Sequence, residues 1–385
     1  MDFSLTEEQR MLRETVREFA ENEMAPVIPS LEREGTFPAG IVAKLADLGI
    51  LGMAIPEEYG GAGFDTVSIC VVMEEIARVC ASTGVTLSVH NSAASAPIVQ
   101  FGTREQKLEY LPRMAAGALI GGFALTEPGC GSDAAAIACR AERRGGGYVL
   151  NGTKSWITNA RIGGVFVLMA VTDPSAGSRG ISAFLVEPDT PGFSFGKDEE
   201  KMGLRCSITG MINLSDCEIP ASSLLGEEGM GLRVALSTLD GGRIGIASQS
   251  VGIARGAYEE ARDYALTRKT FGVKLADHQA IRFMLADMAL EIDAARLLTH
   301  KAADKKDRGA RGADLSLEAS MAKLYASEMC NRVTYGAVQI HGGYGYSKEY
   351  NVERYYRDAR VTTIYEGTSE IQRLIMARRL VSGDN

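Results

Sequence analysis

Histidine and tryptophan are scarce in this 385-residue chain, with four of the first and one of the second. His90, His278, His300 and His341 never fall four residues apart, so the pattern that sets two imidazoles on one helical face around zinc is missing. The seven cysteines (Cys70, Cys80, Cys130, Cys139, Cys206, Cys217 and Cys330) form no CxxC pair and are odd in number. That argues against a disulfide framework and fits buried free thiols in a reducing compartment. No GxxxxGK[ST] phosphate loop occurs, and GEEGMGLRV lacks the third glycine of a dinucleotide fingerprint. No uninterrupted apolar run reaches the roughly 18 residues of a membrane span, so no membrane insertion is expected. MDFSLTEEQ shows no basic segment leading into an apolar one, so no signal peptide is expected and a cytoplasmic location is the default. A processed eukaryotic chain of this kind would instead sit in the mitochondrial matrix. The net charge of −8 lacks the basic face that a nucleic-acid partner requires.

What is present is ordered as helices, then strands, then helices. Thr6 and Gln9 form a capping-box pattern ahead of Leu12, Val16 and Phe19 at helical spacing. Pro26 and Pro29 are expected to end that helix. Further helices are expected at about 41–48, 66–80, 84–101 and 105–114. From Gly121 to about Leu225 the chain turns to β-branched runs and turn residues, and Asn151-Gly152 between apolar runs predicts a hairpin. Strands are expected in GGVFVLMAVT, ISAFLVEPD and GMINLSDCEI. Long amphipathic helices follow at 231–268, 278–306 and 315–340, with shorter ones at 351–360 and 368–381, and they imply a bundle. KKDRGARGAD (305–314) reads as a solvated loop. The fold class is therefore α+β, with a helical domain at 1–120, a β-barrel or sandwich at 121–230 and a four-helix bundle at 231–385.

Several segments carry residues suited to chemistry, and each also has an ordinary structural use. FALTEPGCGSD (123–133) either forms an anion-binding nest or is an interdomain turn. In KSWITNA (154–160), Trp156 either stacks on a flat cofactor beside the Thr158 hydroxyl or fills a strand edge. RKTFG (268–272) complements a helix C-terminus or pairs with a pyrophosphate. QIHGGYGY (339–346) caps a helix or lets a ligand approach the backbone. In LDGGRIG (239–245), Asp240 and Arg243 share a helical face, and either pair with each other or grip a polar ligand arm. The adjacent glycines cost about 1 kcal/mol each in a helix, so close packing or a ligand must require them. In YEGTSEIQ (365–372), Glu366 sits between two helices with Thr368 or Ser369 available as a cap. It is either a solvated loop glutamate or a carboxylate held near a helix N-terminus.

Taken together, FALTEPGCGSD, KSWITNA, RKTFG, QIHGGYGY, RDAR and IYEGTSEIQ resemble the acyl-CoA dehydrogenase family in order and spacing, over essentially the whole chain. The likeness is greatest to its short-chain, butyryl-CoA type. The resemblance implies FAD as cofactor, an electron-transferring flavoprotein as acceptor and a homotetramer built as a dimer of dimers. It assigns Phe123, Leu125, Thr126, Gly131, Ser132, Trp156, Ile157 and Thr158 to FAD. To FAD from a neighbouring subunit or its interface it assigns Arg268, Thr270, Phe271, Gln279, Gln339, Ile340, Gly342 and Gly343, and on the cofactor side of the catalytic residue Thr368 and Glu370. It places Ser132, Asp240, Arg243, Glu366 and Gly367 against the acyl-CoA substrate.

The implied reaction is an α,β-dehydrogenation in which Glu366 removes the α-proton and flavin N5 accepts the β-hydride. One branch of the family carries its base just before the arginine of LDxxR. Here that position is Gly242, which leaves Glu366 as the matching base. Glutaryl-type members hold an arginine near Gly84, and no cation stands there, which disfavours a dicarboxylate. Ala93, Ala94 and Ser95 are small and suggest an acyl pocket roomy enough for branched, cyclic or aryl groups. An oxygen-using acyl-CoA oxidase and a non-catalytic flavin- or CoA-binding scaffold are the alternatives. The usual greater length of oxidases counts against the first, and retention of Glu366 against the second.

Overall fold

The computed structural model describes residues 4–381. The N-terminal helices are α1 (Glu7–Phe19), α2 (Ile28–Glu34), α3 (Ala39–Asp47), α4 (Thr66–Val79), α5 (Ala81–Ser88), α6 (Ala96–Phe101) and α7 (Arg104–Ala115). The capping box at Thr6 forms as expected, with the Gln9 amide donating to the Thr6 hydroxyl. Pro26 ends the first helix as expected, but Pro29 does not. Helix continues past α1 as a π turn through Met24, and Pro29 lies in the first turn of α2, where its missing N–H costs nothing. The expected run 84–101 is likewise α5 and α6 joined by a π turn, Val89–Ser95.

Strands β1 (Gly121–Ala124), β2 (Arg140–Arg144), β3 (Gly147–Thr158), β4 (Val165–Val171), β5 (Ile181–Val186), β6 (Phe193–Asp198), β7 (Thr209–Pro220) and β8 (Leu224–Leu225) form one sheet. Its order is β6-β7-β3-β2-β4-β5-β8, with β1 parallel to β4. Residues Val165, Val167 and Met169 of β4 pack toward α6 and α7, while Phe166, Leu168 and Ala170 pack into a second core with Phe184 and Ile212. Burial on both faces explains why β4 reads as a continuous apolar run. Asn151-Gly152 makes no hairpin. It is an irregularity inside the single strand β3, where the register against β7 shifts between Leu150 and Gly152. Gly152 is needed there because a Cβ would lie 2.8 Å from Cys139 Cα.

The last third holds α8 (Gly231–Thr267), a short hairpin β9–β10 (Lys269–Thr270, Val273–Lys274), α9 (Gln279–Asp307), α10 (Ala313–His341), α11 (Val352–Arg360) and α12 (Ser369–Val381). Ala247, Ala254, Ala257 and Ala261 of α8 share a core with Ala319, Ala322 and Ala326 of α10. The stretch expected as a solvated loop is partly structural, because α9 runs on to Asp307. Its carboxylate accepts from Thr66 N at 2.8 Å and so caps α4. Six of the seven cysteines are buried, and Cys130 is half-buried. None of the described helices is long and apolar enough to cross a membrane.

Helix α4 is pinned to its neighbours by buried charge. Arg255 reaches Glu74 at 2.9 Å and Glu75 at 2.7 Å, and Arg296 of α9 reaches Glu74 at 2.9 Å. The close α4–α8 approach depends on glycine, since a Cβ on Gly252 would stand 2.4 Å from Glu74 O. Alanine normally stabilises a helix relative to glycine by about 1 kcal/mol. Here overpacking reverses the sign, and Gly252→Ala should lower stability by about 1–3 kcal/mol, read as a fall in midpoint on thermal unfolding.

Candidate active site

Between α11 and α12 the chain makes a 3-10 turn (Val361–Thr363), and then Glu366 and Gly367 both adopt positive φ, 53° and 91°. Left-handed backbone is unfavourable for glutamate and persists only where surroundings hold it. Those surroundings are specific. Gln372 Nε2 donates to Glu366 O (3.2 Å) and Gly367 O (2.9 Å), and Lys323 Nζ donates to Gly367 O at 2.8 Å. The Thr368 hydroxyl accepts from Ile371 N at 3.3 Å and caps α12. Tyr365 OH donates to Gln249 Oε1 at 2.6 Å.

The Glu366 side chain reaches α8 at Gly242, where an added Cβ would lie 2.6 Å from Oε2 and 3.0 Å from Oε1. Close packing against this carboxylate is therefore what the second glycine of LDGGRIG provides. Glu366 Oε2 is buried with no hydrogen-bond partner. Burial pushes the carboxyl up to about 7, against the pull of Arg243 and Lys323. The backbone N–H of Glu366 also has no acceptor among the described residues.

Asp240 and Arg243 are buried and pair with each other at 2.6 Å, and Ser316 Oγ donates to Asp240. Arg243 Nε is buried without a partner, and its charge acts on Glu366. The structure thus uses this pair as a charged frame beside the carboxylate, and the Asp240 oxygens are already occupied.

The residues assigned to the cofactor fall into separate groups. Phe123 is half-buried and borders the same cluster as Tyr365. The segment after it is shaped by Lys154, whose fully buried ammonium donates to Leu125 O (3.1 Å) and to Glu127 (2.7 Å), while Ser155 N donates to Thr126 O at 2.9 Å. Trp156 is 59% exposed at φ 60°, and Thr126 and Thr158 are half-buried. The Ile157 side chain lies in the core inside the sheet and is 1% exposed, so a side-chain contact with a ligand is ruled out. Gly131 and Ser132 lie exposed in the following turn. Thr368 and Glu370 border a surface depression of about 300 Å³ with Asn331 and Arg360.

Arg268, Thr270, Phe271, Gln279, Gln339, Ile340, Gly342 and Gly343 are elsewhere. Arg268 is 26 residues along α8 from Gly242, about 39 Å at 1.5 Å per residue. Around it, its guanidinium lies over the Tyr344 ring, Thr270 Oγ1 bonds His278 Nε2 at 3.1 Å, and Phe271 is 97% exposed. Gln279, Gln339, Gly342 and Gly343 are exposed, and Ile340 is buried. Within one chain these residues do not join the group around Glu366.

The small residues of α5–α6 do not open a pocket in the expected way. Ala94 packs so closely on β1 that a Cβ on Gly121 would stand 2.3 Å from its own, and Ser95 donates to His90 O. Helix–sheet packing uses up their small size. Sequence reasoning also missed Lys323 and Gln372. A lysine midway along an otherwise Ala-rich helix face was the available signal for the first.

Sequence models of the acyl-CoA dehydrogenase N-terminal, middle and C-terminal domains match residues 6–118, 122–217 and 229–381. The chain belongs to the acyl-CoA dehydrogenase family. It is 51% identical to the mitochondrial short-chain specific acyl-CoA dehydrogenase of Bos taurus, over 98% of this chain and 91% of that one. Butyryl-CoA dehydrogenase from Megasphaera elsdenii superposes with a TM-score of 0.96 at 42% identity, covering 99% and 100% of the two chains. A chain from the structure reported for the electron transferring flavoprotein of Acidaminococcus fermentans superposes at 0.97 with 45% identity, covering 99% and 100%. This family member is a flavin-dependent oxidoreductase that dehydrogenates acyl-CoA thioesters with FAD as cofactor. Its residues fit that cofactor: an exposed, conformationally strained tryptophan stands beside half-buried threonines, and a carboxylate with a buried, unpaired oxygen follows Tyr365, which borders the same cluster as Phe123.

The close approach at Gly242 makes a sharp prediction. Gly242→Ala should fold, because alanine favours helix, yet displace the Glu366 carboxylate. Flavin reduction by acyl-CoA should slow by about 100-fold or more with FAD content unchanged.

Proposed function

We propose that the enzyme desaturates a short-chain or small branched or cyclic acyl-CoA to the 2-enoyl-CoA, with Glu366 as the base that takes the α-proton. The observation that carries this reading is the Glu366 carboxylate itself, on a half-buried residue but with Oε2 buried and unpaired, and raised to about 7 by burial. A carboxylate left without donors is more basic than a solvated one, and a base tuned near neutral pH is what weakly acidic C–H bonds demand. Bound FAD would supply the hydride acceptor for the β-hydrogen. The unengaged Glu366 N–H would donate to the thioester oxygen and so stabilise charge developing there. Arg243 and Lys323 keep enough positive charge nearby for the carboxylate to ionise.

The short-chain preference is supported by the short-chain and butyryl-CoA relatives and by Ala94 and Ser95 being committed to packing. Branched or cyclic groups small enough for the same space remain within this class. Ser132 and Gly367 are proposed to meet the CoA arm and thioester. An electron-transferring flavoprotein is the proposed acceptor, supported by the setting of the Acidaminococcus structure.

A homotetramer built as a dimer of dimers is part of the proposal. The roughly 39 Å along α8 between Gly242, beside Glu366, and Arg268 means that Arg268 and its neighbours reach an FAD bound beside Glu366 only from a second copy. The Phe271 ring, 97% exposed, and Tyr346, 90% exposed, are apolar surfaces awaiting cover. Phe283, Leu290 and Leu297 of α9, exposed and seven residues apart, add a second such stripe.

Anaerobic titration with acyl-CoAs of increasing length, followed by the flavin band, tests the reading. Butyryl-CoA should bleach the flavin and long chains should not. Glu366→Gln should bind FAD yet lose at least about 100-fold in reduction rate. Since the carboxylate must be ionised to act, kcat/KM should fall as pH drops through about 7. A colourless protein that takes up no flavin overturns the proposal.

A further inference from the structure

Lys323 of α10 is fully buried, and its one hydrogen bond, 2.8 Å to Gly367 O, goes to the loop that carries the base. Burying an ammonium is costly unless its charge is used, and no carboxylate lies within ion-pair distance among the described residues. Replacing Lys323 by an apolar residue would leave α10 packed as well, so helix packing alone does not account for it. The loop above it is strained at Glu366, whose left-handed backbone relaxes unless the neighbouring peptide carbonyls are tied down.

We propose that Lys323 is a positioning residue for the dehydrogenation: it anchors the Gly367 carbonyl so that the Glu366–Gly367 turn stays left-handed, and its charge beneath that turn favours the ionised form of the base. The inference rests on Glu366 being that base. Two neighbours share the work differently. Gln372 Nε2 holds the same carbonyl at 2.9 Å without charge, and Arg243 brings charge without touching the loop backbone. Lys323 alone does both.

The charged and titratable groups around the carboxylate are few. From α8 it meets Arg243, itself paired to Asp240. From α10 it meets Lys323, with Glu328 farther out bonded to Ser369. Glu370 of α12 is exposed, and Tyr365 is committed to Gln249. Burial draws Lys323 down to about 8, with Glu366 opposing that fall, and the same attraction draws the Glu366 carboxyl down from where burial alone would hold it. Removing the ammonium therefore raises the carboxyl further, and the acid limb of the rate profile moves to higher pH.

The test is the pH dependence of anaerobic single-turnover flavin reduction by butyryl-CoA in holoenzyme carrying Lys323→Met, Lys323→Gln or Gln372→Leu, beside the wild type. In Lys323→Met the limb should move up in pH and the rate at pH 7 should fall at least about tenfold, with FAD content and butyryl-CoA affinity within a few-fold of wild type. Lys323→Gln, which keeps a donor but no charge, should show the same shift and a smaller loss of plateau rate. It also serves if the methionine variant does not fold. Gln372→Leu should slow the plateau and leave the limb where it is. An unmoved limb in a folded Lys323 variant overturns the inference. A wild-type holoenzyme that no acyl-CoA reduces instead overturns the dehydrogenase reading on which it stands.

Discussion

The structure depends on one contact: a glutamate carboxylate brought against the backbone of a neighbouring helix where only glycine leaves room. Glu366 Oε2 has no hydrogen-bond donor, and the site it occupies is where a Gly242 side chain would begin. A buried charged acceptor without a donor costs on the order of 1–3 kcal/mol or more. The fold sustains that cost through its other contacts and in return holds a basic carboxylate at fixed position.

Around this contact the molecule is braced so that the loop cannot relax. Helix α8 is fixed to α4 by the Arg255–Glu74–Glu75 group, and α4 is fixed to α9 by Arg296. The sheet is joined to the helices by a second group. Glu32 of α2 accepts from Arg205 N and Cys206 N, and Asp358 of α11 accepts from Leu204 N at 2.6 Å. Burial pushes the Asp358 carboxyl up to about 7, with Glu32 adding to the rise. Lys154 performs a similar task beneath the 123–126 segment, where its charge is matched by Glu127. Each of these side chains satisfies backbone groups at a junction, which is where regular hydrogen bonding runs out.

The sequence displayed much of this and hid the rest for physical reasons. Long helices with a clear period of 3.6 were legible nearly to the residue, as the expected 231–268 and the observed Gly231–Thr267 illustrate. Local turn chemistry was less reliable. Asn151-Gly152 has the composition of a hairpin, but the strand partners available on β7 let it run straight with a bulge. Glu366 could be singled out only through the resemblance, since a loop glutamate followed by glycine is ordinary by itself. Its burial arises from Gly242, 124 residues earlier, and no local pattern links the two. Lys323 was invisible for the same reason. Its role comes from a carbonyl 44 residues away, and sequence periodicity reports which face of a helix is apolar, not which backbone oxygen lies beyond it.

Distance along a rigid element supplies the last constraint. Because α8 is one uninterrupted helix of 37 residues, its two ends cannot be folded toward a common ligand. The frame at Asp240–Arg243 and the cation at Arg268 are held apart by the same rigidity that fixes Gly242 against the Glu366 carboxylate. In the proposed assembly a second chain supplies what one chain cannot, and the exposed rings of Phe271 and Tyr346 lie at the end of the molecule where that chain would arrive. Rigidity at the Glu366 carboxylate and the separation of the two groups of residues are then two consequences of one long helix.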